Sequence, residues 1–233
     1  MPLPAVLFDL DGTLIDHEAA AAEALDRSLP GLDAPARARA RRAWRELETA
    51  AMARYFAGEL TFAEQRRVRA AGLAAELGFG AWDDAAADRW FAGYLGRYEA
   101  AWRPYGDVRP ALEALTRAGH RLGVITNGDA DQQRHKLRRT GLAAILTEVV
   151  ASSEVGAAKP DARIFHHAAQ RLGLAPDRVV YVGDRLETDA VAATRAGMRG
   201  VWLNRGGRVE NTGVPAIGSL AELPALLGDQ KSN

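Results

Sequence analysis

Two carboxylates one residue apart, Asp9 and Asp11, stand at the end of the short apolar run Ala5–Phe8, with Gly12 and Thr13 directly after them. An apolar run that stops on an acidic residue reads as a buried parallel strand reaching its sheet edge, where open α/β folds place their chemistry. Three later places repeat the theme: Thr126-Asn127-Gly128 after Val124-Ile125, Lys159-Pro160 ahead of a helix, and Gly183-Asp184 with Asp189 after Val179–Val182. Parallel strands share one carboxyl edge. Asp9, Asp11, Thr126, Asp184 and Asp189 can therefore converge there, with Lys159 reaching in from its loop.

Four carboxylates in one crevice repel by about 4 kcal/mol per close pair at an effective dielectric near 20, so such a cluster demands positive charge. The donors are all oxygen, and the chain has no cysteine and no histidine cluster at ligand spacing. That set favours Mg2+. Lys159 would add a second positive charge, and the Thr126 hydroxyl, with the backbone N–H groups of Asn127 and Gly128 at a helix start, would add donors. A phosphoryl group suits this mixture.

The elements needed to position these residues are visible. Runs at Ala5–Phe8, Leu122–Ile125, Glu148–Ala151, Val179–Val182 and Gly200–Leu203 read as buried strands, alternating with helices over Arg109–Ala118, Asp129–Arg139, Ala162–Leu172 and Glu187–Ala196. Gly119, Gly141, Gly173 and Gly197 fall where those helices should end. The segment 205–218 reads as a loop, and Ser219–Leu227 as a last helix capped by Ser219.

One strandless stretch, 16–100, interrupts the alternation and reads as an inserted helical cap, leaving 1–15 and 101–233 as a Rossmann-like core. Trp44, Leu47, Ala51 and Tyr55 share one helical face there, as do Trp90, Tyr94 and Tyr98, which suits a small bundle with its own aromatic core. The run Arg37, Arg39, Arg41, Arg42, Arg45 reads as a solvated face.

Lys plus Arg and Asp plus Glu both number 30, so no net field favours nucleic acid or an anionic membrane. No leader or membrane-spanning run is expected, and no protein partner is implied; a cytoplasmic location is the default expectation.

In order, Asp-Leu-Asp-Gly-Thr-Leu, Thr126, Lys159 and the Gly183–Asp189 motif resemble the four signature motifs of the haloacid dehalogenase superfamily, and the chain is similar to its phosphatase members throughout. The resemblance implies a parallel α/β core with a helical cap inserted after the first motif. It also implies roles. Asp9 would be a nucleophile forming an aspartyl-phosphate, and Asp11 would protonate the leaving oxygen and later take a proton from water. Mg2+ would be held by Asp9, the Asp11 carbonyl, Asp184 and Asp189, and phosphate by Thr126, Asn127 and Lys159. The expected substrate is a small phosphorylated metabolite.

Asp11 argues against a dehalogenase, since dehalogenases resembling this fold lack an acid at that position. A sugar phosphomutase shares all four motifs and stays open. A receiver domain would carry its phosphorylated Asp later in the chain, and a non-catalytic binding protein would not need the complete set. Gln133, Lys136-Leu137 and Ser152–Gly156 look most like the branch of pyrimidine 5′-nucleotidases and N-acylneuraminate-9-phosphatases. There, the turn 58–62 and Arg66 or Arg69 would be cap contacts to substrate, against a plain reading of a Thr61 N-cap and a solvated basic face. Of the five histidines only His17 lies close to a motif; the others read as structural or solvent-facing.

Overall fold

The computed structural model describes residues 5–207 and 212–228. The first four residues, part of the expected tail loop (208–211) and 229–233 lie outside the described residues. The chain forms two compact units, one from the chain up to His17 and from Arg103 onward, the other Glu18–Trp102.

The first unit is built on six parallel strands, β1 (Ala5–Phe8), β2 (Leu122–Thr126), β3 (Glu148–Ala151), β4 (Val179–Gly183), β5 (Arg199–Leu203) and β6 (Ala216–Ile217), in the order β3-β2-β1-β4-β5-β6. β1, β2 and β4 are buried along their whole length, which is why they read as continuous apolar runs rather than alternating ones. From β1 the chain moves to one side through β2 and β3, then to the other through β4 to β6. The crevice beside the carboxyl end of β1 is thus the topological switch point, where open sheets bind ligands. Phe8 is in register with Val124 and Val182, so Asp9, Thr126 and Asp184 emerge at one edge.

The second unit is all helical: α1 (His17–Ser28, whose first residue belongs to the sheet unit), α2 (Ala34–Phe56), α3 (Phe62–Glu76) and α4 (Asp84–Ala101). Asp33 and Asp83 cap α2 and α4, each accepting from the backbone N–H three residues on, and Thr61 with Glu64 closes a capping box on α3. The expected aromatic core is present. Trp44 meets Tyr94 edge-on at 4.7 Å between centroids and donates its indole N–H to the Tyr94 hydroxyl at 2.9 Å.

The run Arg37, Arg39, Arg41, Arg42, Arg45 faces solvent as expected, with Arg37 and Arg41, each 41% exposed at the side chain, also paired with Asp26 of α1. One expectation for this unit is corrected. Arg69 is neither solvated nor open to a ligand: it is buried, paired with Glu48 at 2.8 Å and stacked over Trp44 at 4.5 Å. Arg66 lies over Phe62, 4.3 Å from the ring centre.

In the sheet unit follow α5 (Val108–Arg117), α6 (Ala130–Arg139), α7 (Ser152–Val155), α8 (Ala162–Leu172), α9 (Ala192–Arg195) and α10 (Leu223–Gly228). Helix α8 shows how they attach: Ile164, Phe165, Ala168, Ala169 and Leu172 form one stripe and pack on Leu7, Ile125, Val179 and Tyr181 of the sheet. The helix expected over 187–196 instead opens as a π-turn, Leu186–Val191, before α9; such wide turns favour functional sites. The one-turn α7 and the two-residue β6, which sits inside the expected loop, are too short to show a period. Ser219 caps the final helical segment as expected, with Glu222 completing the box.

Candidate active site

Asp9 follows β1, its backbone N–H continuing the ladder to Val182 O at 2.8 Å. Asp184 follows β4, and Asp189 is carried back toward the same edge by the π-turn, where its Oδ2 accepts the Arg185 N–H at 3.0 Å. One carboxylate oxygen from each of Asp9, Asp184 and Asp189 lies within 4.8 Å of the others. Two glycines make this approach possible. A Cβ on Gly12, whose φ is +92°, would stand 2.6 Å from Asp184 Oδ2, and one on Gly183 would stand 2.4 Å from Asp189 Cβ.

Lys159, only 6% exposed, sits among these groups. Its ammonium donates to Asp9 Oδ1 at 2.5 Å, Asp189 Oδ1 at 2.7 Å and the Tyr181 hydroxyl at 2.7 Å, using all three protons. Burial would lower its pKa, but Asp189 and Asp9 raise it, so it stays charged. One cation is not enough for three acids. Burial pushes the Asp9 carboxyl up to about 7, with Asp189 and Asp184 adding to the rise against Lys159. Asp184 is raised as well, by burial and by Asp189. An all-oxygen cluster with unneutralised charge fits a hard divalent cation, and this donor set fits Mg2+.

Asp11 lies apart from that cluster on the α6 side. Lys136 Nζ donates to both its oxygens, at 2.6 and 2.8 Å, and Gln133 Nε2 donates to Oδ2 at 3.0 Å. Burial would raise the Asp11 carboxyl, but Lys136, His17 and Gln133 together hold it at about 2. The same Gln133 amide donates to Thr126 Oγ1 at 2.9 Å, which leaves the threonine's own O–H available to an anion.

Two expectations about donors change. The Gly128 N–H is committed to Ser152 Oγ at 2.8 Å, so it is not offered to an anion. Asn127 uses its side chain on the motif beside it, donating to Lys159 O at 2.9 Å and accepting from Lys159 N at 2.8 Å. It therefore fixes the lysine's backbone, and only its main chain remains for a ligand. His166 is structural, its Nε2 3.0 Å from Ala196 O.

Several residues here carry weight beyond the roles that the motifs imply. Thr13, fully buried, donates to Asp184 Oδ1 and accepts from Asp184 N, both at 3.0 Å, and Trp202 donates its indole N–H to Asp184 O at 3.0 Å. Tyr181 donates its O–H to Ile125 O at 3.0 Å while accepting from Lys159. Lys136 and Gln133 hold Asp11. The available signal for these two was the branch resemblance in which Gln133 and Lys136-Leu137 already stood.

A parallel sheet with acids, a buried lysine and a threonine gathered at its switch point defines an α/β protein equipped to hold a cation beside an anion. The chain belongs to the haloacid dehalogenase-like hydrolases, whose family model matches residues 3–197. It is 48% identical over 104 residues to a glyceraldehyde 3-phosphate phosphatase of Methanopyrus kandleri, 45% of each chain. It is also 39% identical over 126 residues to the N-acylneuraminate-9-phosphatase of Mus musculus, 52% of this chain and 50% of that one. The chain thus spans about half the length of these relatives. The crystal structure of the HAD-hydrolase YfnB from Bacillus subtilis shares the fold with a TM-score of 0.82 at 23% identity, covering 98% of this chain and all of that one. Among the described residues no helix is long and apolar enough to cross a membrane.

Proposed function

We propose that this chain is a cytoplasmic, Mg2+-dependent phosphomonoester hydrolase that acts on a small phosphorylated metabolite through a covalent aspartyl-phosphate. The observation that carries this reading is the triad Asp9, Asp184 and Asp189 around buried Lys159, with a second acid, Asp11, held separately two residues after the first. The relatives add support, since phosphatases of glyceraldehyde 3-phosphate and of N-acylneuraminate 9-phosphate both carry names for phosphomonoester cleavage, and YfnB was solved bound to magnesium.

Asp9, Asp184 and Asp189, with the Asp11 carbonyl, would hold the cation; when bound, it offsets the charge of the acids and of the phosphate that must approach them. In the first step an Asp9 carboxylate oxygen bonds to phosphorus, the ester P–O bond breaks, and the departing oxygen takes a proton from Asp11. Negative charge arriving with the phosphate opposes ionised Asp11 and favours the proton-bearing form that this step needs. In the second, water attacks phosphorus, Asp11 receives its proton, and the Asp9–phosphorus bond breaks to release phosphate. Thr126 and Lys159 supply donors to the phosphoryl oxygens, where transition-state charge collects.

Separate acid and nucleophile favour hydrolysis over a receiver's stable phosphorylation. The test is phosphate release from a panel of sugar, nucleotide and short-chain acid phosphates, with and without Mg2+. Turnover that needs Mg2+ and disappears in Asp9→Asn is expected; Asp9→Asn at wild-type rate removes the assigned nucleophile, and isomerisation without phosphate release points to a phosphomutase.

A further inference from the structure

Helix α6 buries the wrong residues for a helix that only has to pack. Its inward stripe carries Ala130, Gln133 and Leu137, with Lys136 beside it, and Gln133 and Lys136 are 3% and 2% exposed. Burying a lysine is costly unless it is paired, and the Gln133 carbonyl Oε1 is buried with no partner among the described residues. Leucine at both places would avoid both costs. What the two side chains have in common is their target, the Asp11 carboxylate: Lys136 takes both oxygens and Gln133 ties one of them to the Thr126 hydroxyl.

We propose that Lys136 and Gln133 are positioning residues for the acid/base carboxylate, together fixing the Asp11 side chain beside the phosphoryl-binding Thr126 so that it faces the leaving oxygen. The inference rests on the phosphomonoesterase reading and deepens it. Neither residue touches the phosphorus or donates the proton. The Asp11 side chain is 27% exposed, so without Lys136 the carboxylate can rotate toward water. Gln133 then acts as a spacer: its one amide nitrogen sets the separation between Asp11 Oδ2 and Thr126 Oγ1, with Nε2 contacts of 3.0 and 2.9 Å.

A positioning role and a merely structural role differ in how the loss depends on the leaving group. The proton from Asp11 matters when the departing oxygen is basic, as in phenyl phosphate, and matters little when it leaves as stable 4-nitrophenolate. The two esters otherwise differ only by the para-nitro group. The specificity constant kcat/KM stops at formation of the aspartyl-phosphate, so it reports the acid step without the later hydrolysis.

The experiment compares kcat/KM of wild type, Lys136→Met and Gln133→Leu on phenyl phosphate and 4-nitrophenyl phosphate at saturating Mg2+. Lys136→Met is expected to lose about 100-fold on phenyl phosphate, within the range assigned to general acids, and less than about 5-fold on 4-nitrophenyl phosphate. Gln133→Leu should show the same bias, more weakly. Equal losses on both esters, or no loss on either, overturn the inference while leaving the phosphatase reading intact. If Lys136→Met does not fold, Gln133→Leu decides by the same criterion. Wild type that releases phosphate from neither ester nor from any metabolite in the panel sinks the parent reading, and this one with it.

Discussion

Lys159→Met gives the most direct test of the charge balance at the sheet edge. The methionine keeps most of the buried stem but removes the ammonium shared by Asp9, Asp189 and Tyr181. With the lysine present, Asp9 already sits at about 7 against a usual 3.8. Removing it leaves the buried acids without the cation that opposes the rise of the Asp9 carboxyl, so Asp9 is driven further toward its protonated form. Near pH 7 the variant should lose about 3–5 kcal/mol, the range for removing one partner of a buried pair.

The sign with pH follows. An acid whose folded pKa is raised carries no penalty below its unfolded value, and the penalty grows as pH rises toward the folded one. The variant's deficit should therefore shrink to under about 2 kcal/mol near pH 5. Urea unfolding in EDTA, followed through Trp202 fluorescence in a variant lacking the other tryptophans, measures it. A deficit below about 1 kcal/mol near pH 7, or one equal at both pH values, refutes the reasoning.

Other consequences are sharper in what they touch. Thr13→Val keeps shape but removes both hydrogen bonds to Asp184, and should weaken Mg2+ binding by about tenfold in titration calorimetry; unchanged affinity would assign Thr13 to packing alone. Gly12→Ala places a methyl 2.6 Å from Asp184 Oδ2 at a φ of +92°, and should lower both melting temperature and Mg2+ affinity. Asp107 accepts from Arg205, Ser219 and the Leu220 N–H, and against burial these hold its carboxyl below the usual range. Its stabilising effect is thus present above about pH 4 and lost as pH falls, so Asp107→Asn should cost about 1 kcal/mol near pH 7 and progressively less under acid, by urea unfolding.

What could be read beforehand and what could not divides along physical lines. Asp9 and Asp184 were legible because each abuts a strand buried on both faces, and such strands appear in one dimension as unbroken apolar runs. The helical insertion was legible from its missing strands, and its aromatic faces from their spacing. Tyr181 was hidden in the run Val179–Val182, where an aromatic ring reads as core; its ring does pack against Phe165, while its hydroxyl serves Lys159, and only folding reveals the second role. Arg69 was misread because a basic residue three after Arg66 on a helix is ordinarily solvated, whereas here Glu48 and Trp44 from a neighbouring helix enclose it.

Helix α6 is the most instructive case, because its sequence, Ala-Asp-Gln-Gln-Arg-His-Lys-Leu-Arg-Arg, has only two apolar residues. With so few, periodicity cannot decide which polar residues face inward, and Gln133 and Lys136 stood out only through the branch resemblance, which does not tell that they meet Asp11. Yet the scarcity is itself an argument. A helix beside a sheet edge with only Ala130 and Leu137 to bury gains little by packing, so its docking has to be completed by polar contacts to a polar site. Asp11 and Thr126 provide them. On this view the helix is held by the groups it orients, and substitutions at Asp11 should loosen α6 as well as the site: Asp11→Ala is expected to speed amide hydrogen exchange along 133–139, leaving α8 unchanged, and uniform protection in both helices would separate the helix's stability from the carboxylate.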